Sequence, residues 1–167
     1  VVGQGVKLHQ PWHEVRRSTL HGTGVFARRD IPRGTRILAY AGRRITPEQA
    51  DERHPHNPAD PFHTFYFALS SGQVIDGGKR GNDARWINHS CEPNCQAQEN
   101  ADGRRVAIIA LRDIRRGEEL FYDYGLVMPG RITARLKQDY RCLCATPNCR
   151  GTMLALPDKR KAHKKSI

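Results

Sequence analysis

All five cysteines of this 167-residue chain lie at or after position 91. They fall in two short polar runs, NHSCEPNC (88–95) and CLCATPNC (142–149). This placement limits the fold more than any hydrophobic pattern in the chain does. NHSCEPNC has no period of 2 or 3.6, so it is neither an ordinary strand nor an ordinary helix. Pro93 limits its backbone, and Asn88 and Asn94 suit turns. Such a segment is a plain surface loop or part of a site. Cys142, Cys144 and Cys149 have CxCx4C spacing beside Pro and Asn turns, which can fill three corners of a tetrahedral zinc site. The fourth ligand must come from elsewhere, and Cys91 and Cys95 are the remaining cysteines. Two disulfides plus a spare thiol, or ordinary free thiols, are the alternatives. Nothing marks the chain as secreted, and in a reducing compartment clustered cysteines point to metal. A fourth ligand at Cys91 would tie the C-terminal end back onto NHSCEPNC.

The length predicts one domain with a real core. Fifteen glycines and ten prolines favour many short strands and turns, a mostly β fold with short helices (α+β). No apolar run approaches the roughly 20 residues of a membrane span, so no membrane partner is expected. No secretory signal is visible at the start. The first residue is Val1 rather than Met, so a leader or a longer N-terminal region is expected to be missing. The formal charge of +11 fits an acidic partner, such as nucleic acid or an acidic protein surface, or simply a solvated basic surface. The arginines are dispersed. Only the tail KRKAHKKSI (159–167) clusters, and it reads as a disordered segment that binds polyanions or directs nuclear import.

Along the chain, residues 1–12 read as a leader strand or loose arm and 15–45 as short strands broken by turns. Residues 46–61 begin as a helical turn, with Thr46 as N-cap and Pro47 at the first helical position, then become a Pro- and His-rich loop. Residues 62–77 read as a hairpin with a Ser-Gly turn. Residues 82–90 read as a short helix burying Trp86 and Ile87, 104–114 as a buried strand, 118–125 as a strand ending in glycine, and 130–140 as a short helix. ARRDIPRGTRI (27–37) and ALRDIRRGEEL (110–120) share Ala, Arg, Asp, Ile, Arg and Gly at matched positions. Each reads as strand, turn, strand. Two similar β-turns account for the match without a repeat architecture, because the segments between them do not correspond.

HGTGVFA (21–27) places Gly22 and Gly24 around Thr23, which lets backbone approach a ligand. A lone GxG is more often a turn, and the third glycine and helix of a dinucleotide fingerprint are missing. In FYDYG (121–125), Tyr122 and Tyr124 share one face if the segment is a strand, for packing or for function.

HGTGVFA, YAG, RWINHSCEPNC, GEELFYDYG and CxCx4C, in this order, resemble the SET-domain protein lysine methyltransferases from about Arg17 to Gly151. The resemblance implies small, mostly antiparallel sheets around a C-terminal pseudoknot, in which NHSC and YDYG meet at the active site. It implies an N-terminal arm (1–14), a SET domain (15–126), a post-SET zinc segment (127–156) and a basic tail (157–167). It also implies transfer of the methyl group of S-adenosylmethionine to a lysine side chain, with cofactor and lysine entering from opposite faces.

On this resemblance His21, Gly22, Thr23 and Gly24 form the cofactor loop, acting largely through backbone, and Arg85, Asn88 and His89 are cofactor contacts. Cys91, Cys142, Cys144 and Cys149 hold one structural zinc ion, leaving Cys95 as the spare cysteine. Tyr124 is catalytic, and no enzyme nucleophile is expected. His89 has the look of a general base, but the match makes it a cofactor and scaffold residue. Tyr122 stands where relatives carry Phe or Tyr. A hydroxyl there leaves less room for added methyls, which points to mono- or di-methylation. Phe65, also in the cofactor set, replaces the family's usual Tyr and loses a hydroxyl; Tyr66 should point the other way.

The implied partner is a protein with an exposed lysine, a histone tail or another basic protein, with nucleic-acid or nucleosome contact through the basic surface and tail. The implied location is intracellular: the nucleus if eukaryotic or delivered to a host, the cytoplasm if bacterial. The competing readings are a catalytically weak SET fold used as a binding module and a zinc-stabilised basic protein that binds nucleic acid. No known DNA-reading motif supports the last.

Overall fold

The computed structural model describes residues 10–53, 60 and 63–157. The expected tail and most of the expected arm and Pro- and His-rich loop lie outside the described residues. Ten short strands and two six-residue helices follow one another. They are β1 (His13–Arg17), β2 (Thr23–Ala27), β3 (Arg36–Ala39), β4 (Arg43–Ile45), α1 (Pro47–Glu52), β5 (Tyr66–Ala68), β6 (Val74–Asp76), a single 3-10 turn (Asp83–Trp86), β7 (Asn88–His89), β8 (Cys95–Glu99), β9 (Val106–Ala110), β10 (Phe121–Tyr122) and α2 (Ala134–Asp139). They form a β1–β2 ribbon, a β3–β9–β8 sheet and a β4–β6–β5 sheet, all antiparallel, and a parallel β7–β10 pair.

Local chemistry accounts for most boundaries. Thr46 caps α1 as a capping box: its hydroxyl accepts from Gln49 N at 3.2 Å, and the Gln49 side chain accepts from Thr46 N at 3.2 Å. Thr133 caps α2 with its hydroxyl alone, accepting from Leu136 N at 3.1 Å. Gly72, at φ +85°, makes the turn of the β5–β6 hairpin. The expected strand over 104–114 is β9, whose buried positions alternate as a pleated strand requires. The helix expected over 82–90 is only one 3-10 turn, with Asn82 accepting from Ala84 N. Residues 88–89 leave it to pair as β7.

The strand expected over 118–125 is also shorter. Only Phe121 and Tyr122 pair with β7, because the chain first answers to β2: Leu120 N donates to Val25 O at 2.7 Å, and Glu119 bridges Phe26. It ends where Asp123 accepts from Gly125 N and Gly125 turns to φ +51°. Residues 117–122 therefore lie between β2 on one side and NHSCEPNC on the other. The Asn94 side chain completes the arrangement by donating to Glu119 O and accepting from Phe121 N, each at 2.8 Å. This is the meeting of NHSC and YDYG that the resemblance implies, where a pseudoknot would be one of the rare exceptions to unthreaded chain paths.

The two echoing segments do more than resemble each other, because they pair reciprocally. Ile31 and Ile114 exchange backbone hydrogen bonds of 2.8 and 2.9 Å. Gly34 N donates to Ala110 O at 2.8 Å, and its counterpart Gly117 N donates to Ala27 O at 2.7 Å. Arg33 N donates to Asp113 Oδ1 and Arg116 N to Asp30 Oδ1, both at 2.8 Å. The result is a local two-fold arrangement built from one repeated phrase. Both isoleucines are about fully buried, at 1% exposure, in the main core with Val25, Ile75, Ile87, Ile108 and Leu120. A smaller cluster of Ile45, Ala50 and Val74 lies under Tyr66. Phe65 meets Trp86 instead, so the two neighbours do face opposite ways.

Candidate active site and cysteine cluster

Cys91, Cys142, Cys144 and Cys149 converge, with all four sulfurs within 4.8 Å of one another. Cys91 Sγ lies 3.7 Å from Cys142 Sγ and 3.9 Å from Cys149 Sγ. Zinc–sulfur bonds near 2.3 Å put tetrahedral sulfurs about 3.8 Å apart, whereas a disulfide needs about 2.05 Å. The spacing therefore fits four thiolates around a metal ion. Four thiolates this close repel one another, so gathering them here calls for a cation. Backbone N–H groups already face two sulfurs, Cys144 N to Cys142 and Gly151 N to Cys149. Cys95 stands apart on β8, fully buried, its thiol pushed up to about 12 by burial. It is an inert core residue.

Two further contacts hold the C-terminal segment against the core. Asn148 donates to Glu92 at 2.6 Å, and Arg150 grips Asp123 bidentately at 2.6 and 2.7 Å. Asp123 lies inside YDYG, so the clasp acts directly on the segment that carries Tyr122 and Tyr124.

The residues of HGTG form the turn into β2. One side chain organises this turn: Asn88 Nδ2 lies 3.2 Å from His21 O, 3.1 Å from Thr23 O and 2.9 Å from Glu119 Oε1. Glu119 also accepts from Ser18 Oγ at 3.0 Å. A Cβ on Gly24 would meet the Glu119 carboxylate, so a side chain there would push Glu119 off Asn88 and Ser18. Gly22 adopts φ +49°, with open space on its Cβ side. Arg85 donates to Gly77 O at 3.3 Å and stacks on Trp86, while its buried Nε has no partner among the described residues.

His89 is buried, with both ring nitrogens facing protein groups. Nδ1 accepts from Tyr124 N at 3.0 Å, which leaves the proton on Nε2, 3.5 Å from Cys91 Sγ. Burial drives its pKa down to about 4, against the pull of Asp123. A neutral imidazole therefore joins the Tyr124 backbone to the cysteine cluster.

Tyr124 lies beyond the end of β10, yet its ring is 4.9 Å from that of Tyr122 and 5.2 Å from that of His89. Its hydroxyl donates to Ile87 O at 2.7 Å. Burial raises both tyrosines, so each stays a neutral phenol at ordinary pH. Tyr124 can orient and polarise through its oxygen but is not a phenolate base. Tyr40 and Phe67 extend this wall: their rings lie 5.4 Å apart, and that of Phe67 lies 6.4 Å from Tyr122. Tyr40 also donates to Phe65 O at 2.9 Å. Such a wall suits a cationic group and disfavours a bare charge deep inside it.

Sequence reasoning assigned no role to Tyr40, Glu119, Asp123 or Arg150. The first three sit inside motifs that were visible, YAG, GEEL and YDYG. Arg150 had no signal beyond following Cys149.

The family model described as SET domain matches residues 22–125. The chain is 37% identical over 134 residues to the histone-lysine N-methyltransferase ash1 of Drosophila melanogaster, covering 79% of this chain and 6% of that protein. It is 39% identical over 138 residues to an H3 lysine-4 specific histone-lysine N-methyltransferase of Saccharomyces cerevisiae, covering 81% of this chain and 12% of the relative. It is 36% identical over 152 residues to the Drosophila histone-lysine N-methyltransferase trr, covering 88% and 6%. The chain thus spans only a small fraction of the length of these relatives.

Proposed function

Because the chain belongs to the SET-domain family, we propose that it is a protein-lysine N-methyltransferase that moves a methyl group from S-adenosylmethionine to a lysine of a histone or another basic protein. The observation that carries this reading is the Tyr124 hydroxyl, 2.7 Å from the Ile87 carbonyl inside an aromatic wall. A free lysine, with a pKa near ~10.4, is protonated at neutral pH and cannot attack. The wall of Tyr40, Phe67, Tyr122 and Tyr124 favours the neutral amine by excluding water. The Ile87 carbonyl and the Tyr124 oxygen are acceptors that can direct the amine. Alignment then does more for the rate than a strong base would.

S-adenosylmethionine, when bound, supplies an electrophilic methyl group on a positively charged sulfur. The residues around His21–Gly24 fit it. The His21 and Thr23 carbonyls and the Glu119 carboxylate, gathered by Asn88, are acceptors suited to a cationic amino acid group, and the unpartnered Arg85 Nε, beside Trp86, is a further donor. His89 acts here as a scaffold between Tyr124 and Cys91. The four cysteines hold one structural zinc ion. Tyr122 narrows the wall and limits the product to mono- or di-methyl-lysine.

The exposed arginines of the paired turns, among them Arg28, Arg33, Arg115 and Arg116, favour contact with nucleic acid or a nucleosome while the lysine enters elsewhere. Among the described residues no helix is long and apolar enough to cross a membrane. The proposed location is the nucleus of a eukaryotic or host cell, or the cytoplasm of a bacterium.

Transfer from labelled S-adenosylmethionine to core histones, nucleosomes and a lysate of basic proteins tests this reading, with wild type and Tyr124→Phe side by side. Lysine methylation by wild type, reduced about 100-fold or more in the variant, is expected. Cofactor binding without transfer to any substrate would instead favour a SET fold used for binding, with Phe65 as the departure to examine. Tyr122→Phe should raise the methylation state seen by mass spectrometry.

A further inference from the structure

A second group of metal-ligating side chains lies away from the cysteines. His21, in the turn before β2, meets Asp60 and His63, which belong to the chain between α1 and β5. Their ligand atoms all lie within 4.8 Å of one another. His63 Nδ1 is 3.4 Å from Asp60 Oδ2, and the two imidazole centroids are 5.1 Å apart. Nitrogen and oxygen ligands around zinc, bound at about 2.0–2.1 Å, stand about 3.3 Å from one another in a tetrahedral shell. The Asp60–His63 pair is already at that spacing. The exposed His21 ring can rotate to supply the third ligand without disturbing the core.

A surface ion pair would account for His63 and Asp60 alone. It does not account for a second imidazole from a distant segment turned onto the same point. We infer that His21, Asp60 and His63 form a second metal site, which takes a borderline divalent ion such as zinc through two imidazoles and one carboxylate. Its chemistry differs from that of the cysteine cluster. A nitrogen and oxygen set with an exposed histidine binds more weakly and exchanges faster than four thiolates, and it leaves a coordination position to water. The ion would cross-link the turn holding His21 and Thr23 to the segment leading into β5. It would thereby order two loops that are joined only through long stretches of chain. The site stands whether or not the protein transfers methyl groups.

The test uses the full chain carrying one equivalent of zinc in the cysteine cluster, titrated with Co2+. Wild type is expected to bind one further equivalent, with weak visible bands of nitrogen and oxygen ligation and no added thiolate-to-cobalt charge-transfer band. Unfolding should shift upward by about 5–10 °C at a metal concentration near 100 times Kd. Asp60→Asn and His63→Ala should each remove the second equivalent and the shift while keeping the cysteine-bound ion. His54→Ala and His56→Ala, nearby in sequence, should keep both. Binding that stops at one equivalent would overturn the inference. So would a second equivalent that survives in His63→Ala, or one lost only in the His54 and His56 variants.

Discussion

The paired turns around Ile31 and Ile114 and the cysteine clasp around Cys91 both join distant parts of the chain, but by different means. The turns are complete in themselves: the two isoleucines exchange backbone hydrogen bonds, the Gly of each copy donates to the Ala carbonyl of the other, each Asp accepts from the Arg N–H of the other, and both isoleucines are buried in the main core. The clasp has little apolar burial beyond Leu154. It relies on four sulfurs, the Glu92–Asn148 contact and the Asp123–Arg150 pair. A frame held by hydrophobic burial and a closed ladder folds without help. A segment held by thiolates around the proposed ion would fold only as that ion binds. The difference matters because Tyr124 stands between them, with its hydroxyl on the Ile87 carbonyl and its backbone on His89, which in turn reaches Cys91.

The two anchors can be broken separately. The largest effect should come from the ion. Wild type should carry about one zinc in the cysteine cluster by metal analysis, and Cys142→Ser should carry none there. Transfer should fall by about 100-fold or more as residues 140–154 lose protection from hydrogen exchange. Residues 27–37 and 110–120 should stay protected. Exposure of the turns as well would show that frame and clasp are one cooperative unit.

The frame comes next. Ile31→Ala and Ile114→Ala should each cost about 2–5 kcal/mol in denaturant unfolding, and by similar amounts, because their surroundings are related by the local two-fold. A large inequality would mean that the symmetry is confined to the backbone. Arg150→Ala should cost only about 1 kcal/mol, since Asp123 is 38% exposed and the pair is screened. It should weaken zinc binding by about 10-fold through the lost support beside the cluster. Unchanged zinc affinity would limit Arg150 to its contacts with Asp123 and with the Leu154 carbonyl, which accepts from its Nε at 3.1 Å.

The smallest effects belong to the turn caps. Asp30→Ala and Asp113→Ala each remove one side-chain acceptor from a backbone N–H and should cost about 1 kcal/mol apiece. Equal losses are expected from the matched 2.8 Å bonds.

Much of the local structure was legible. The Thr46 N-cap, the β5–β6 hairpin and β9 follow from capping chemistry, turn residues and alternation, which act over a few residues. The two misjudged lengths share one cause. Residues 88–89 and 118–122 find their partners in each other and in β2, and no local period records such partners. The echo of 27–37 in 110–120 was visible as a repeated phrase, but a repeat in sequence does not say that its copies meet.

By itself, the sequence determined the family resemblance, the choice of thiolate chemistry and the residue types at the site, because spacing along the chain limits how many ligands, caps and turns a short segment can offer. Only the tertiary structure decided that Asn88 gathers His21, Thr23 and Glu119, that Arg150 grips Asp123, and that Tyr40 joins the aromatic wall. It also decided that His63 and Asp60 arrive beside His21. These meetings join segments far apart in the chain, and which carboxylate or carbonyl meets which donor is set by packing of the whole core rather than by any pattern within a segment.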